Sequence, residues 1–414
     1  MRKAIGRDRW IKVDLEELCE INMGQSPPSS SYNYHGDGLP FYQGVRHFGS
    51  KYPSPSVFCN APKKIAEQQD VLLSVRAPIG AINMVKEKCC IGRGLAALRH
   101  KKGNNEFLFH LMKYIQTMWH AFDSRGTVFG CIGKDDIAAF PIVIPEDEQE
   151  QQEIASILSA YDDLIELNER RIKILEETAR LIYKEWFVKF EFPGHEKVKM
   201  VKSELGMMPE RWEICEIANL GKVITGKTPS TRNIENFGDY MPFITIPDMH
   251  NKILIIETER HLSEKGVNAQ SSKTLPRNAI CVSCIATMGL AAITTEKSQT
   301  NQQINSIILE DLRFLEYLFF VLKSLKAKIT LYGSSGTAAN ILNKDKFRRL
   351  RIVRPLNEII KRFHCIIEPI FKQIENTMRQ NAILCQTRDM LLPKLISGEI
   401  DTLGLNTKLA GEKV

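Results

Sequence analysis

Two stretches of this chain repeat apolar residues in heptads over a length few globular cores need. From Glu148 to Trp186 there is neither glycine nor proline, and Ile154, Ile157, Leu158, Tyr161, Ile165, Ile172, Leu175, Ile182 and Trp186 lie along one stripe. From Leu356 to Ser397 the pattern returns with Ile360, Phe363, Ile367, Ile370, Ile374, Leu384, Leu391 and Leu395. Pro369 and Pro393 interrupt it, which predicts a kink near the first and fraying near the second. Each stretch is about 40 residues, roughly 60 Å as an α-helix. Two apolar stripes of equal length on one chain most simply bury each other as a coiled coil, the alternative being two separate helical hairpins. Each stripe also contains one asparagine, Asn168 and Asn381. A buried amide needs a polar partner, so the two are expected to meet, the alternative being that they face solvent or a partner subunit. That antiparallel register sets Leu175 against Ile374, Ile182 against Ile367, Ile154 against Leu395 and Trp186 against Phe363. It brings Arg388 over the ring of Tyr161 and puts the segments preceding the two helices at opposite ends.

Those preceding segments show a different periodicity. Short apolar runs such as DVLLSV, AINMV, AAFPIVIP, ILIIE and AICVSCI, bounded by turn residues, read as strands. FLFHLMKYIQTMWHAF and RFLEYLFFVLKSLKAKI have helical spacing. The two segments are copies. Trp10, Gly24, Pro27, Pro40 and Phe41 recur 202 residues later as Trp212, Gly226, Pro229, Pro242 and Phe243. SVRAPIG, ending at Gly80, matches SCIATMG, ending at Gly289, at a spacing of 209; Lys134, Asp135 and Pro145 match Lys344, Asp345 and Pro355 at 210. A drift this small and this ordered is what a duplication with short loop insertions leaves. The expected fold is α/β of the α+β kind: two tandem mixed domains joined by two long helices in an antiparallel coiled coil with pseudo-twofold symmetry. The first domain is placed at 1–147, its helix at 148–190, a polar connector at 191–208, the second domain at 209–356, its helix at 357–398 and a tail at 399–414.

Composition refines this picture only slightly. The chain has 414 residues, 43% of them hydrophobic, enough for two cores rather than a disordered chain. Its net charge of +7 is compatible with an anionic partner but does not require one. There is no signal-peptide pattern at the start and no apolar run of membrane-spanning length. The ten cysteines sit mostly in apolar runs, as buried thiols of a cytoplasmic protein would.

Gly221 to Thr228 spells GKVITGKT, a phosphate-loop pattern. That loop needs a helix directly after it, whereas Pro229 and STRNIENFGDY follow. The first copy has Cys19, Gly24, Gln25 and Ser26 at the matching positions and lacks the lysine. Ser26-Pro27-Pro28 resembles the loop of amino-methyltransferases, but position 29 is serine where an aromatic residue would stack on the base, and no glycine-rich cofactor loop precedes it. Pro247-Asp248 could open a nuclease site, yet no acid-x-lysine follows between 249 and 345. Cys281 and Cys284 have redox or zinc spacing without a second pair, which favours a buried strand. The expectation is a chain with no catalytic, cofactor or metal site of its own. An NTPase and a duplicated structural coiled-coil protein remain the alternatives.

What the two copies share is polar side chains on matched loops. In the first these are Gln43, Arg46, Arg76, Arg93, Arg125, Thr127 and Lys134. In the second they are Lys227, Thr228, Asp248, Thr287, Asn301, Gln302, Gln303, Ser334, Ser335, Thr337 and Lys344. Arginine reads guanine, asparagine and glutamine read adenine, and lysine, serine and threonine hold phosphates. The same loops with different donors are what two readers of unlike sequences need. The run Arg348, Arg349, Arg351 and Arg354 adds positive charge beside the second copy.

In its order of motifs the chain resembles the specificity subunits of type I restriction–modification systems, over nearly its whole length. The resemblance rests on W-x13-G-x-S/T-P at Trp10 and Trp212, SVRAPIG at Ser74–Gly80, TNQQIN at Thr300–Asn305 and Q-x-x-I-x-x-I-L at Gln151–Leu158. LEETARLIYKEWFVKFEF and LLPKLISGEI at the helix ends complete it. It implies that each domain reads one half of a bipartite double-stranded DNA target. It also implies that the helices form a spacer docking two adenine-N6 methyltransferase subunits, and that ATP-driven restriction subunits join them. S-adenosylmethionine, ATP and magnesium would then belong to the partners. Spare apolar helix surface, Trp186 and Phe187 included, is expected to be covered by the methyltransferase. Asp248 stands where the first copy has Arg46, so that loop is expected to work differently in the two halves.

Overall fold

The computed structural model describes residues 9–122, 130–326 and 342–402. The chain divides into two compact units, Met1–Leu167 with Ala382–Val414, and Asn168–Asn381. Each unit thus contains one globular domain, the first half of the helix that follows it in sequence, and the second half of the other copy's helix. No helix among the described residues is long and apolar enough to cross a membrane.

In the first unit, the strand Trp10–Asp14 pairs antiparallel with Pro141–Pro145, tying the start of the domain to its end. A four-stranded antiparallel sheet runs in the order Cys19–Met23, Leu95–His100, Val71–Ser74, Ile82–Met84. The helix Asn105–Tyr114 packs on it, contributing Phe107, Leu108, Leu111 and Met112 to the core. A second, mixed sheet contains the parallel pair Leu39–Tyr42 and Cys89–Ile91. The second unit repeats the plan: Glu213–Glu216 pairs with Arg351–Arg354, and a five-stranded sheet is built around Gly221–Thr225, Ile304–Leu309, Ile280–Ser283 and Ala291–Thr294. Here too a parallel pair forms, Phe243 with Gln299 and Ile244 with Thr300. The duplication is therefore structural in its central strands and pairings, while the sheets differ in the number of strands at their edges.

The long helices are Glu148–Tyr183, continued by a π-helical turn to Val188, and Asn357–Ile396. Within the second unit they run antiparallel in the expected register. Asn168 Nδ2 donates to Asn381 Oδ1 at 2.8 Å, the Trp186 and Phe363 rings lie 5.8 Å apart, and Leu175, Ile182, Ile367 and Ile374 share one core. In the first unit Ile154 and Leu395 are likewise buried together.

Three details depart from expectation. Arg388 donates to Asp162 at 2.7 Å instead of lying over Tyr161, because a buried carboxylate beside it attracts the guanidinium more strongly than a ring face does. The second helix runs past Pro393 to Ile396. Its end is held by burial of Leu395 and Ile396 and by the indole of Trp10, which donates to the Ile396 carbonyl at 2.8 Å. Gly398, with φ of 73°, turns the chain against the same indole. Trp186 and Phe187 are not spare surface: both are 8% exposed and pack among Tyr317, Phe363 and Trp212. The repeated tryptophan thus has one task in both copies. Trp10 closes the end of the second helix, and Trp212, stacked on Phe192 with centroids 5.3 Å apart, closes the end of the first.

Candidate nucleic-acid interface

The candidate residues sit on loops at the ends of the central strands, and backbone hydrogen bonds weld those loops into one face. In the first domain Gly24 N–H donates to Leu95 O, Gln25 N–H to Ile91 O, Gly92 N–H to Tyr42 O, Val75 N–H to Gly94 O and Ile132 N–H to Val75 O, all between 2.9 and 3.1 Å. The second domain makes the same bonds at the repeat-equivalent positions. Gly226 donates to Ile304, Lys227 to Thr300, Asn301 to Ile244, Cys284 to Gln303 and Leu342 to Cys284, between 2.8 and 3.1 Å. The parallel strand pair explains why the loops after Tyr42 and after Ile91 meet, since parallel strands end on the same side. The glycine of the G-x-S/T-P fingerprint is needed for this closeness. A Cβ at position 24 would lie 2.2 Å from the Gly92 carbonyl oxygen, and one at 226 would lie 2.2 Å from that of Asn301.

The serine of SVRAPIG is structural as well. Ser74 Oγ donates to Pro78 O at 2.7 Å and accepts from Ala81 N–H at 2.8 Å. Ser283 Oγ makes the same pair with Thr287 O and Leu290 N–H. These bonds hold the turns that carry Arg76 and Thr287 outward, where both are exposed.

Gln43, Arg46 and Arg93 come together around a groove of about 670 Å³ that also presents Ser26, Tyr32, Tyr34 and His47. Tyr34 is 77% exposed. Burial, reinforced by Arg46, holds the His47 imidazole below its ordinary pKa. Lys134 is exposed at the start of the short helix Lys134–Ala138, close to the Arg76 turn through the Arg76–Cys131 bridge. In the second domain Lys227 and Gln302 are exposed, Gln303 and Thr228 partly so, and Thr228 Oγ1 donates to Gln302 Oε1. Lys344 is exposed at the start of the matching helix Lys344–Arg348. Arg125, Thr127, Ser334, Ser335 and Thr337 lie outside the described residues.

Two candidates are not on the surface. Asp248, 3% exposed, accepts from Thr245 N–H and Oγ1 at 2.7 and 2.8 Å and from Glu259 N–H at 2.9 Å, so its carboxylate ties two loop segments together. Asn301, 8% exposed, accepts from Gln303 N–H and donates to Gln303 Oε1, both at 3.0 Å. Conversely, Tyr32, Tyr34 and His47 join the groove without having been singled out from sequence. Their only signal was proximity to the fingerprint glycine and to Gln43.

The motifs with catalytic spacing resolve into structure. Gly221–Thr225 is a sheet strand, Lys227 N–H is taken by Thr300 O, and no helix follows, so phosphate would find no cradle there. Cys281 and Cys284 are buried, and burial pushes their thiols up to about 12 and about 11. Cys19, Cys59, Cys89 and Cys90 are buried too, while Cys131 and Cys365 are exposed; all are free thiols. Among the described residues no three or more His, Cys, Asp or Glu side chains gather as a metal site would need.

The sequence pattern of the type I restriction modification DNA specificity domain matches the chain twice, at residues 7–177 and 209–384. The chain is 35% identical over 356 residues to the type I restriction enzyme HindI specificity subunit of Haemophilus influenzae, covering 71% of this chain and 77% of that one. It is 25% identical over 419 residues to the MjaIX specificity subunit of Methanocaldococcus jannaschii, covering 94% and 93%. In fold it is similar to the S subunit of a type I system from M. genitalium, with a TM-score of 0.62 at 15% identity over 96% of this chain and 97% of the other.

Proposed function

The chain belongs to the family of type I restriction–modification DNA specificity proteins, and from that premise we propose that it reads an asymmetric, bipartite DNA target for a larger complex. Each globular domain reads one half-site, and the helical pair sets the unread gap. The observation that carries this reading is the pair of loop faces, built by the same hydrogen bonds twice and furnished with different side chains. A symmetric dimer reads a palindrome; two unlike faces on one chain suit two unlike half-sites.

In this reading the chain performs no chemistry. A base inside a duplex must be flipped into an active site, and that site, with its S-adenosylmethionine, belongs to two methyltransferase subunits. Restriction subunits bring ATP and magnesium, and the complex works in the cytoplasm, where chromosomal DNA lies. The methyltransferase docks on the helices. With Trp186 and Phe187 buried, the apolar side chains left for it on the first helix of the second unit are Ile174, Leu181 and Val188, seven residues apart and 66%, 43% and 52% exposed.

Exchanging the first domain for that of a relative tests the assignment. N6-methyladenine mapping is expected to show one half-site altered and the other unchanged. Change in both halves, or methyl transfer by the purified chain alone, would overturn it.

A further inference from the structure

Resting on the reading just given, the loop geometry also points to which side chains read bases. The loop after Cys89–Ile91 is Gly92-Arg93-Gly94, and both glycines are buried while Arg93 is exposed. A Cβ at position 94 would lie 2.4 Å from the Gln43 carbonyl oxygen, and one at 92 would lie 2.4 Å from Gln43 Oε1. The loop is therefore pressed against its neighbour with Arg93 as the projecting side chain. Its backbone is fixed by Ser26, whose hydroxyl accepts from Arg93 N–H at 3.3 Å and donates to Gln43 Oε1 at 3.0 Å. Among the described residues the Arg93 guanidinium has no ion-pair or hydrogen-bond partner, so its fork is free for a ligand.

The repeat places Gln302 at the equivalent position and Thr228 at that of Ser26. Gln302 is exposed next to the buried Asn301, and the Thr228 hydroxyl donates to Gln302 Oε1. That bond orients the amide and uses one of the two oxygen lone pairs. The second lone pair and both N–H groups remain, the donor and acceptor set that pairs with adenine N7 and N6. Lys134 and Lys344 also correspond, both exposed at the start of matching helices, but they are the same residue in both copies and cannot distinguish unlike half-sites. The other arginines lack a counterpart. Arg46 is matched by the buried, internally bonded Asp248, and Arg76 by Ile285.

We propose that positions 93 and 302 are equivalent base-reading positions, Arg93 specifying a guanine in one half-site and Gln302 an adenine in the other. A hydroxyl from the G-x-S/T-P loop positions both, which gives that fingerprint a role beyond its glycine turn.

The test uses the full chain co-expressed with its methyltransferase subunit in a host lacking other N6-adenine methylation, with the methylated motif mapped genome-wide. A wild-type chain that yields no bipartite motif would remove the functional reading itself. Given that motif, Arg93→Ala is expected to make one guanine position degenerate, its preference falling by roughly 5- to 150-fold, with the other half-site intact. Gln302→Ala is expected to do the same to one adenine of the other half-site. An unchanged motif, or a partial loss of methylation equal at every site as a phosphate contact would give, would sink the proposal. Should Arg93→Ala abolish methylation altogether, Arg93→Gln decides: retention of the same guanine overturns the assignment, and its loss supports it.

Discussion

An amide inside an apolar seam costs stability unless it is paired, and the Asn168–Asn381 hydrogen bond meets that cost at one register. Replacing Asn168 alone with leucine is expected to lower stability by about 1 kcal/mol, because its hydrogen bond to Asn381 is lost. Replacing both with leucine should recover most of that loss, since an apolar pair leaves no amide unmatched. Thermal melts of the two variants check this; equal melts would mean that the amides do not depend on each other. This contact was legible in the sequence because the two asparagines interrupt otherwise apolar stripes. Asp248 was not legible. A carboxylate on a polar loop looks the same in sequence whether it faces a ligand or accepts from Thr245 and Glu259 N–H groups. Arg388 was misjudged for a related reason: heptad spacing places it beside Tyr161 and Asp162 alike, and only side-chain geometry selects the carboxylate.

Among the elements, the helix Asn105–Tyr114 meets the first long helix of the first unit through a buried titratable group. His110 Nε2 lies 3.4 Å from Ser159 Oγ and 3.7 Å from Asp162 Oδ2. Burial, together with Lys51, Arg388 and Lys113, drives the imidazole down to about 3 from an ordinary 6.5, so it is neutral in the folded chain. Because the folded value is the lower one, the unfolded chain binds the proton first. His110 therefore contributes stability that is fully present above pH 6.5 and is lost as pH falls toward 3. The melting temperature should decline across that window, and His110→Gln should flatten the decline; an unaltered slope would place the sensitivity elsewhere. Element existence was readable from periodicity, since both long helices and the strands around SVRAPIG stand where the patterns put them. The end of the second helix was less readable. Proline in a last turn normally signals fraying, and what overrides it is Trp10, far away in sequence.

For the molecule as a whole, the division into units cuts both long helices at one level, after Leu167 and after Asn381. Seven residues inserted at both points preserve the buried face, because a heptad restores the stripe. They add about 10 Å of helix, close to three base pairs of duplex. The unread gap of the methylated motif is expected to widen by about three base pairs with both half-sites unchanged, whereas insertion into one helix alone should abolish methylation. The duplication behind this plan was plain in the ordered fingerprint residues. The exchange of helix ends was not, because periodicity shows which face of a helix is apolar but not which domain will cover it. That exchange dictates an order of events on the ribosome. The second unit is a continuous stretch and is complete once residue 381 has emerged. The first must wait for Leu395 and Ile396, which are buried in its core, so the domain synthesised first is sealed after the second. Throughout translation of the second half, the nascent first domain exposes the apolar seat that Leu395 and Ile396 will fill.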